Sequence, residues 1–152
     1  MLYIYDLDDT TVDSSHRQRK NADGSIDLDH WFANNTPDKI ALDDLLPLAE
    51  HLKMRNKKGD ETMVCTSRQM TEADYQFLID KGINPVYILS RKHGDNTPCG
   101  KMKLDLLSRF ADRMGLAWGE FIKHSVMFDD NDDVLNTLSE KGLTTIDARK
   151  YS

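Results

Sequence analysis

The sequence predicts an α/β protein with a three-layer, doubly wound and mostly parallel sheet. Short apolar runs alternate with stretches of helical periodicity along the chain, which is the order of right-handed βαβ units. Several of these runs are followed directly by carboxylate or hydroxyl side chains. Open α/β sheets bind their ligands at the carboxyl ends of the strands, so such side chains are typical of a binding site. The length of 152 residues suits one core, and no repeat or boundary interrupts it, so we expect a single domain over residues 1–152.

The first strand is the most distinctive predicted element. Residues 2–5 are mostly aromatic or β-branched, and the carboxylates of Asp6, Asp8 and Asp9 follow them. We expect Asp9 to be structural, with its side chain directed away from the ligand edge. Residues 11–36 are polar and turn-rich, which predicts a long loop that can contain a small hairpin.

The remaining elements continue the alternation. Thr36 followed by a proline marks a helix start, and Pro47 marks the start of a second helix that ends at Gly59. Thr71 and Asp74 resemble a capping box, which predicts a helix that ends at Gly82. The other predicted strands are residues 63–65, 86–89, 126–128 and 144–146, and the other predicted helical segments are residues 101–114, a short one around 118–121, and one through 134–138 that stops at 142.

Composition excludes some classes of function. The net charge of −6 argues against a protein that coats nucleic acid, because such domains usually carry a basic face. Cys65 and Cys99 lie far apart, without a disulfide or metal-binding pattern. No export signal or long apolar stretch is present. Together these features favour a reducing cytoplasm and no membrane contact.

Three predicted strand ends carry chemistry. They are Asp6 with Asp8, Thr66 with Arg68, and Asp129 with Asp130. A parallel sheet brings these ends to one edge, so the side chains can converge on one ligand. Convergent carboxylate oxygens suit a hard cation, and Mg²⁺ fits better than zinc because no His/Cys ligand set is present. Magnesium beside a hydroxyl and a cation indicates phosphoryl transfer.

The same residues carry a resemblance to a known family. Asp6-Leu7-Asp8-Asp9-Thr10 resembles the first motif of the haloacid-dehalogenase-like phosphatases, which have a Rossmann-like fold. Thr66 resembles their second motif, a lysine early in the 101–114 helix their third, and Asp129-Asp130 their fourth. Within that family, Asp27-Leu28-Asp29, Thr66-Ser67-Arg68 and the loop 91–95 look most like the phosphatase domain of phage polynucleotide kinase-phosphatases.

The resemblance implies roles for individual residues. Asp6 would be the nucleophile that forms an aspartyl phosphate, and Asp8 would act as general acid and then base. Thr66 would donate a hydrogen bond to the phosphate. The lysine that neutralises charge would be Lys103, favoured on its spacing from the following leucines, or Lys101. The implied Mg²⁺ ligands are Asp6, the backbone carbonyl of Asp8, Asp129 and Asp130, the last as a ligand or a neighbour of one. The substrate-binding candidates are Thr10, Ser67, Arg68, Arg17 and Arg91.

The spacing between motifs leaves little or no room for a cap domain, so we expect an open site. Such a site suits a phosphate at the end of a nucleic acid strand or nucleotide, and the resemblance favours removal of a 3′-phosphate. A small metabolite or 5′-nucleotide phosphatase is the alternative, and a catalytically idle binding or regulatory module is an alternative of another class. Met1 directly precedes the first strand, so we expect a stand-alone phosphatase whose kinase partner, where one exists, is a separate protein.

Overall fold

The computed structural model describes residues 1–151 and has a five-stranded parallel sheet at its centre. The strand order is β5-β4-β1-β6-β7, and every neighbouring pair is parallel. The strands are β1 (Leu2–Tyr5), β2 (Val12–Asp13), β3 (Asp44–Leu45), β4 (Glu61–Thr66), β5 (Tyr87–Ser90), β6 (Ser125–Asp129) and β7 (Thr144–Asp147). The helices are α1 (Leu28–Ala33), α2 (Pro37–Ile40), α3 (Pro47–Lys57), α4 (Glu72–Asp80), α5 (Cys99–Arg113), α6 (Trp118–Lys123) and α7 (Asp132–Glu140).

The central strand β1 buries both of its faces. Successive side chains of a strand point to opposite faces, so Ile4 and Tyr5, both fully buried, enter two separate cores. Tyr5 packs with residues of α3 and α4, and Ile4 packs with residues of α5, α6 and α7. Helices therefore cover both faces of the sheet, and the predicted three-layer α/β class is confirmed.

The segment between β1 and α3 is more ordered than the long loop predicted from the sequence. It contains β2, a 3₁₀ turn at Ser15–Arg17, α1 and α2. Strand β2 pairs antiparallel with β3, which lies outside residues 11–36. Within that range, Lys20 and Ile26 form an antiparallel bridge, and the Asn21 amide donates to the Ser25 carbonyl at 2.8 Å, so the small hairpin expected from the sequence is present. Helix α1 has no buried residue, and the periodic core-facing pattern that signals a helix is therefore missing from its sequence.

Local signals explain most of the helix starts. The side chain of Asp27 accepts a hydrogen bond from the backbone of His30 at the start of α1, and Asn131 does the same for Val134 at the start of α7. Thr71 caps α4 as predicted. Helix α5 begins two residues earlier than predicted, at Cys99. Among residues 1–151, no helix combines the length and apolar character needed to cross a membrane.

Candidate active site

A cavity of about 560 Å³ lies at the carboxyl edge of the parallel sheet. The residues after β1 and those at the ends of β4 and β6 line it, together with residues of α1 and α5. Its acidic end is formed by Asp6, Asp8, Asp9, Asp129 and Asp130. The three strand ends singled out in the sequence thus meet at one cavity, because parallel strands place their carboxyl ends on the same side.

Three carboxylates form an acid centre, which we define as Asp6, Asp129 and Asp130. Each offers an oxygen within 4.8 Å of the other two. Lys103 Nζ donates to Asp6 Oδ1 at 2.8 Å and to Asp129 Oδ2 at 2.7 Å. Thr10 Oγ1 donates to Asp130 Oδ1 at 3.2 Å. One buried cation therefore serves two carboxylates of the acid centre, while the third relies on a hydroxyl.

Burial and mutual repulsion leave the acid centre incompletely neutralised. Burial raises the pKa of Asp6 to about 7, with Lys103 opposing the rise and Asp130 adding to it. Burial and then the charge of Asp6 raise the pKa of Asp129 to about 6. Burial disfavours the charged form of Lys103, yet Asp129 and Asp6 together raise its pKa. When ionised, the three carboxylates carry more negative charge than the single ammonium group of Lys103 neutralises.

The donor set of the acid centre fits a hard divalent cation. All of its side-chain donors are carboxylate oxygens, which suit Mg²⁺, and no imidazole or thiolate belongs to the group. The carboxylate of Asp8, whose backbone carbonyl was the predicted ligand, is directed to other partners. Asp6, Asp129 and Asp130 are accordingly the side chains that could hold the cation.

Asp8 is held by a buried arginine. Arg68 donates through Nε to Asp8 Oδ2 at 3.1 Å and through its terminal nitrogen to Oδ1. Ser14 Oγ donates to Asp8 Oδ1 at 2.7 Å. Arg68 in turn donates to Asp74, the third residue of α4 and the partner of Thr71 in the capping box, at 2.6 Å. Burial disfavours the charged form of Asp8, but Arg68 outweighs it and lowers the pKa below the usual range.

The structure places Lys103, and not Lys101, at the acid centre. Lys103 is 1% exposed, whereas Lys101, two residues earlier and on the opposite side of α5, is exposed to solvent. The close approach of α5 to α7 sets this orientation. A Cβ at Gly100 would lie 2.8 Å from the carbonyl oxygen of Asp133, and the Gly100 amide donates to the Asp133 side chain at 2.8 Å.

Thr66 and Ser67 both line the cavity. Thr66 is 1% exposed, and its hydroxyl accepts a hydrogen bond from the Arg68 amide at 3.0 Å, which orients that hydroxyl at the end of β4. The carbonyl of Ser67 accepts from Arg91 Nε at 2.9 Å. Arg91 also lines the cavity, but it donates to the carbonyls of Asp95 and Thr97, so it organises the loop after β5.

Three sequence-based expectations need correction. Arg17, predicted to contact the substrate, lies outside the cavity lining and forms a fully buried ion pair with Asp43 at 2.9 Å. Thr10, another substrate-binding candidate, does not line the cavity, and its hydroxyl donates to Asp6 and Asp130 of the acid centre. Asp9, expected to face away, is exposed and lines the cavity, with a positive φ of 62° that turns the chain after Asp8.

Sequence reasoning missed an apolar side of the cavity. Ile26, Leu28, Trp31 and Phe32 all line it, and we call these four residues the apolar wall. A usable signal was present in the sequence, since two adjacent aromatic residues occur in a segment otherwise rich in polar and turn-forming residues.

A family model described as Bacteriophage T5 5′-deoxynucleotidase matches residues 1–151. The chain belongs to this family. Among curated proteins, the 5′-deoxynucleotidase of Escherichia phage T5 is 32% identical over 84 residues, which is 53% of this chain and 34% of that protein. The match thus spans only about a third of the curated relative's length.

Solved structures share the fold. A chain of the Pnkp1/Rnl/Hen1 complex superposes with a TM-score of 0.70 at 22% identity, covering 96% of this chain and 44% of that one. The haloacid-dehalogenase-like protein SP0104 from Streptococcus pneumoniae gives 0.66 at 15% identity, covering 96% and 83%. A haloacid-dehalogenase-superfamily hydrolase from Geobacter sulfurreducens gives 0.67 at 12% identity, covering 96% and 88%. The predicted haloacid-dehalogenase-like fold is confirmed.

Proposed function

We propose that this protein hydrolyses the 5′-phosphate of deoxynucleoside monophosphates with Mg²⁺, through an aspartyl phosphate on Asp6. The observation that carries the proposal is the convergence of Asp6, Asp129, Asp130 and Lys103 at one end of a nucleotide-sized cavity. The description of the matching family supports the choice of a 5′-deoxynucleotide.

In the first step, a carboxylate oxygen of Asp6 attacks phosphorus and the bond to the sugar oxygen breaks. Asp8 donates a proton to that leaving oxygen, so the product is a neutral deoxynucleoside. In the second step, Asp8 takes a proton from water, and the water oxygen attacks phosphorus. The bond between phosphorus and Asp6 breaks, which releases inorganic phosphate and restores the carboxylate.

Arg68 influences the protonation state of Asp8, which differs between its two roles. The ion pair between them keeps Asp8 ionised in the free protein, and this is the form that accepts a proton from water. For the first step Asp8 has to carry a proton. The negative charge of the bound phosphate favours that form, because a nearby like charge raises the pKa of a carboxyl group.

The other residues stabilise charge on the transferring group. Mg²⁺ held by Asp6, Asp129 and Asp130 would offset the negative charge of the phosphoryl oxygens. Lys103 lies between Asp6 and Asp129 and adds a fixed positive charge at the point of attack. Thr66, at the end of β4, lines the cavity, and its hydroxyl would donate to a phosphoryl oxygen while it accepts from the Arg68 amide.

The 3′-phosphorylated end, a separate kinase partner and a cytoplasmic location remain predictions from the sequence. The apolar wall bounds the cavity on one side, which favours a small substrate that fits within the cavity.

Phosphate release tests the proposal. Purified protein is assayed with the four deoxynucleoside 5′-monophosphates and with a 3′-phosphorylated oligonucleotide, with Mg²⁺ and with EDTA. We expect Mg²⁺-dependent release that is faster from the mononucleotides. Faster release from the oligonucleotide would return the 3′-phosphatase prediction to first place, and no release from any substrate would favour the idle module.

Two variants assign the activity to the site. Asp6→Asn removes the nucleophile with little change in shape, and we expect activity to fall by several orders of magnitude. Asp112→Asn is the matched control, since Asp112 is exposed on α5 and does not line the cavity. Equal activity in the two variants would contradict the proposed chemistry.

A further inference from the structure

The apolar wall has no role in the chemistry described above, yet it shares the cavity with the acid centre. Ile26, Leu28 and Phe32 are 41%, 61% and 54% exposed. Leu28 and Phe32 are four residues apart on α1, so they lie on the same face of that helix. Exposed apolar side chains grouped at a cavity mark a surface that a ligand covers.

Helix α1 does not use these side chains to hold the fold together. None of its residues is buried, so neither Leu28 nor Phe32 contributes to either core. Polar groups at its two ends stabilise the helix instead. Asp27 caps its first turn by accepting from the His30 amide at 3.1 Å, and Asn34 donates to the carbonyl of His30 at 2.8 Å. Its apolar residues are therefore free to contact a ligand.

Trp31 connects the apolar wall to the acidic end of the cavity. The guanidinium carbon of Arg17 lies 4.4 Å from the centroid of the Trp31 ring, and that of Arg68 lies 5.5 Å from it. Cation–π contacts of this kind hold an aromatic ring in place. Arg68 also binds Asp8, so the apolar wall begins one side chain away from the proposed general acid.

We infer that the apolar wall binds the nucleobase of the substrate, with Phe32 as the exposed aromatic face against which the base stacks. The inference rests on the proposed function, because a 5′-phosphate at Asp6 leaves the base at the other end of the same cavity. Stacking uses the face that every base has, so it gives affinity with little selection among bases. Asn96 also lines the cavity and offers an amide group to the polar edge of a base, and Gln18 lines it with its amide nitrogen donating to Ser14 Oγ at 2.8 Å.

Comparing a substrate that has a nucleobase with one that lacks it distinguishes the contribution of the apolar wall to binding from the contribution of the acid centre to hydrolysis. Phe32→Ala is compared with wild type on a deoxynucleoside 5′-monophosphate and on 2-deoxyribose 5-phosphate. We expect kcat/KM for the nucleotide to fall by about 10-fold or more, as is typical for loss of a stacked aromatic side chain. Turnover of the sugar phosphate should not change, and Phe32→Tyr should restore the nucleotide reaction.

The control is Tyr75→Ala, which removes a 41% exposed aromatic residue on α4 that does not line the cavity. It should leave both reactions at the wild-type rate. An equal loss on both substrates in Phe32→Ala, or no loss on the nucleotide, would overturn the inference while leaving the proposed function intact.

A binding measurement tests the apolar wall without catalysis. The chain has two tryptophans, so in a Trp118→Phe background the fluorescence reports on Trp31 alone. Deoxyadenosine, which has no phosphate to hydrolyse, should change this emission on titration, and Phe32→Ala should weaken the affinity by about 10-fold. No change with deoxyadenosine would overturn the inference. A normal change in a protein that releases no phosphate from nucleotides would overturn only the proposed function.

Discussion

Replacing Arg17 by methionine should destabilise the fold, because it breaks a buried ion pair. Both Arg17 and Asp43 have side chains that are 0% exposed, joined by two hydrogen bonds of 2.9 Å. Removing one partner of a buried pair costs about 3–5 kcal/mol, since it leaves an uncompensated charge. Asp43 would keep His16 at 2.7 Å and Arg68 at 3.7 Å, so we expect the lower end of that range.

The measurement is thermal unfolding followed by circular dichroism. About 3 kcal/mol corresponds to a fall in Tm of about 6–12 °C in a chain of this size. Arg17→Lys, which keeps the charge but loses the two-pronged geometry, should lie between the wild type and Arg17→Met. A variant Arg17→Met that unfolds at the wild-type temperature yet loses phosphatase activity would refute this reasoning. Arg17 would then be the substrate contact that the sequence predicted.

Three further predictions concern the site and its support. Lys103→Met should lower kcat by about 10²–10³-fold in steady-state kinetics, because it removes a buried charge from the point of attack. The control Lys101→Met changes an exposed residue and should keep kcat near the wild-type value. Equal losses of kcat in the two variants would contradict the assignment of Lys103 to the acid centre. Gly100→Ala should lower the free energy of unfolding by about 1–3 kcal/mol, since its Cβ would lie 2.8 Å from the Asp133 carbonyl oxygen. In the control Gly119→Ala the added Cβ would meet no atom within 4 Å, so this variant should be neutral or slightly stabilising in denaturant titrations. Without metal, the contribution of Asp6 to the free energy of unfolding should fall as pH rises from 3.8 to about 7, because folding raises the pKa of Asp6 to about 7 and the unfolded chain loses the proton first. The rise in Tm caused by Mg²⁺ should therefore be larger at neutral than at acidic pH, and a pH-independent rise would argue against these ligands.

The sequence predicts the acid centre well because each of its residues follows from a strand end. Asp6 and Asp129 belong to apolar runs that are short and abruptly terminated, and parallel pairing then brings those ends together without further information. The choice between Lys101 and Lys103 was harder. Both lie in the first turns of α5, and only the packing of Gly100 against α7 fixes which one faces the acid centre.

The N-terminal segment could not be predicted in the same way. The pairing of Arg17 with Asp43 spans 26 positions, and nothing local distinguishes a buried arginine from a solvated one. Helix α1 has no buried residue, so the period that identifies most helices is absent, and its aromatic residues could not be assigned to a face. Both features depend on tertiary contacts between β2, β3 and the segment that they enclose.

The central claim is that Asp6 becomes covalently phosphorylated during hydrolysis of a 5′-nucleotide. Borohydride reduces an acyl phosphate to an alcohol, so protein quenched during turnover with a deoxynucleoside 5′-monophosphate and Mg²⁺ should yield homoserine in place of aspartate. Peptide mass spectrometry locates the change. We predict it at Asp6, only when substrate and Mg²⁺ are both present, and not in Asp6→Asn. Active turnover with unmodified Asp6, or with the modification at Asp8, would contradict the account.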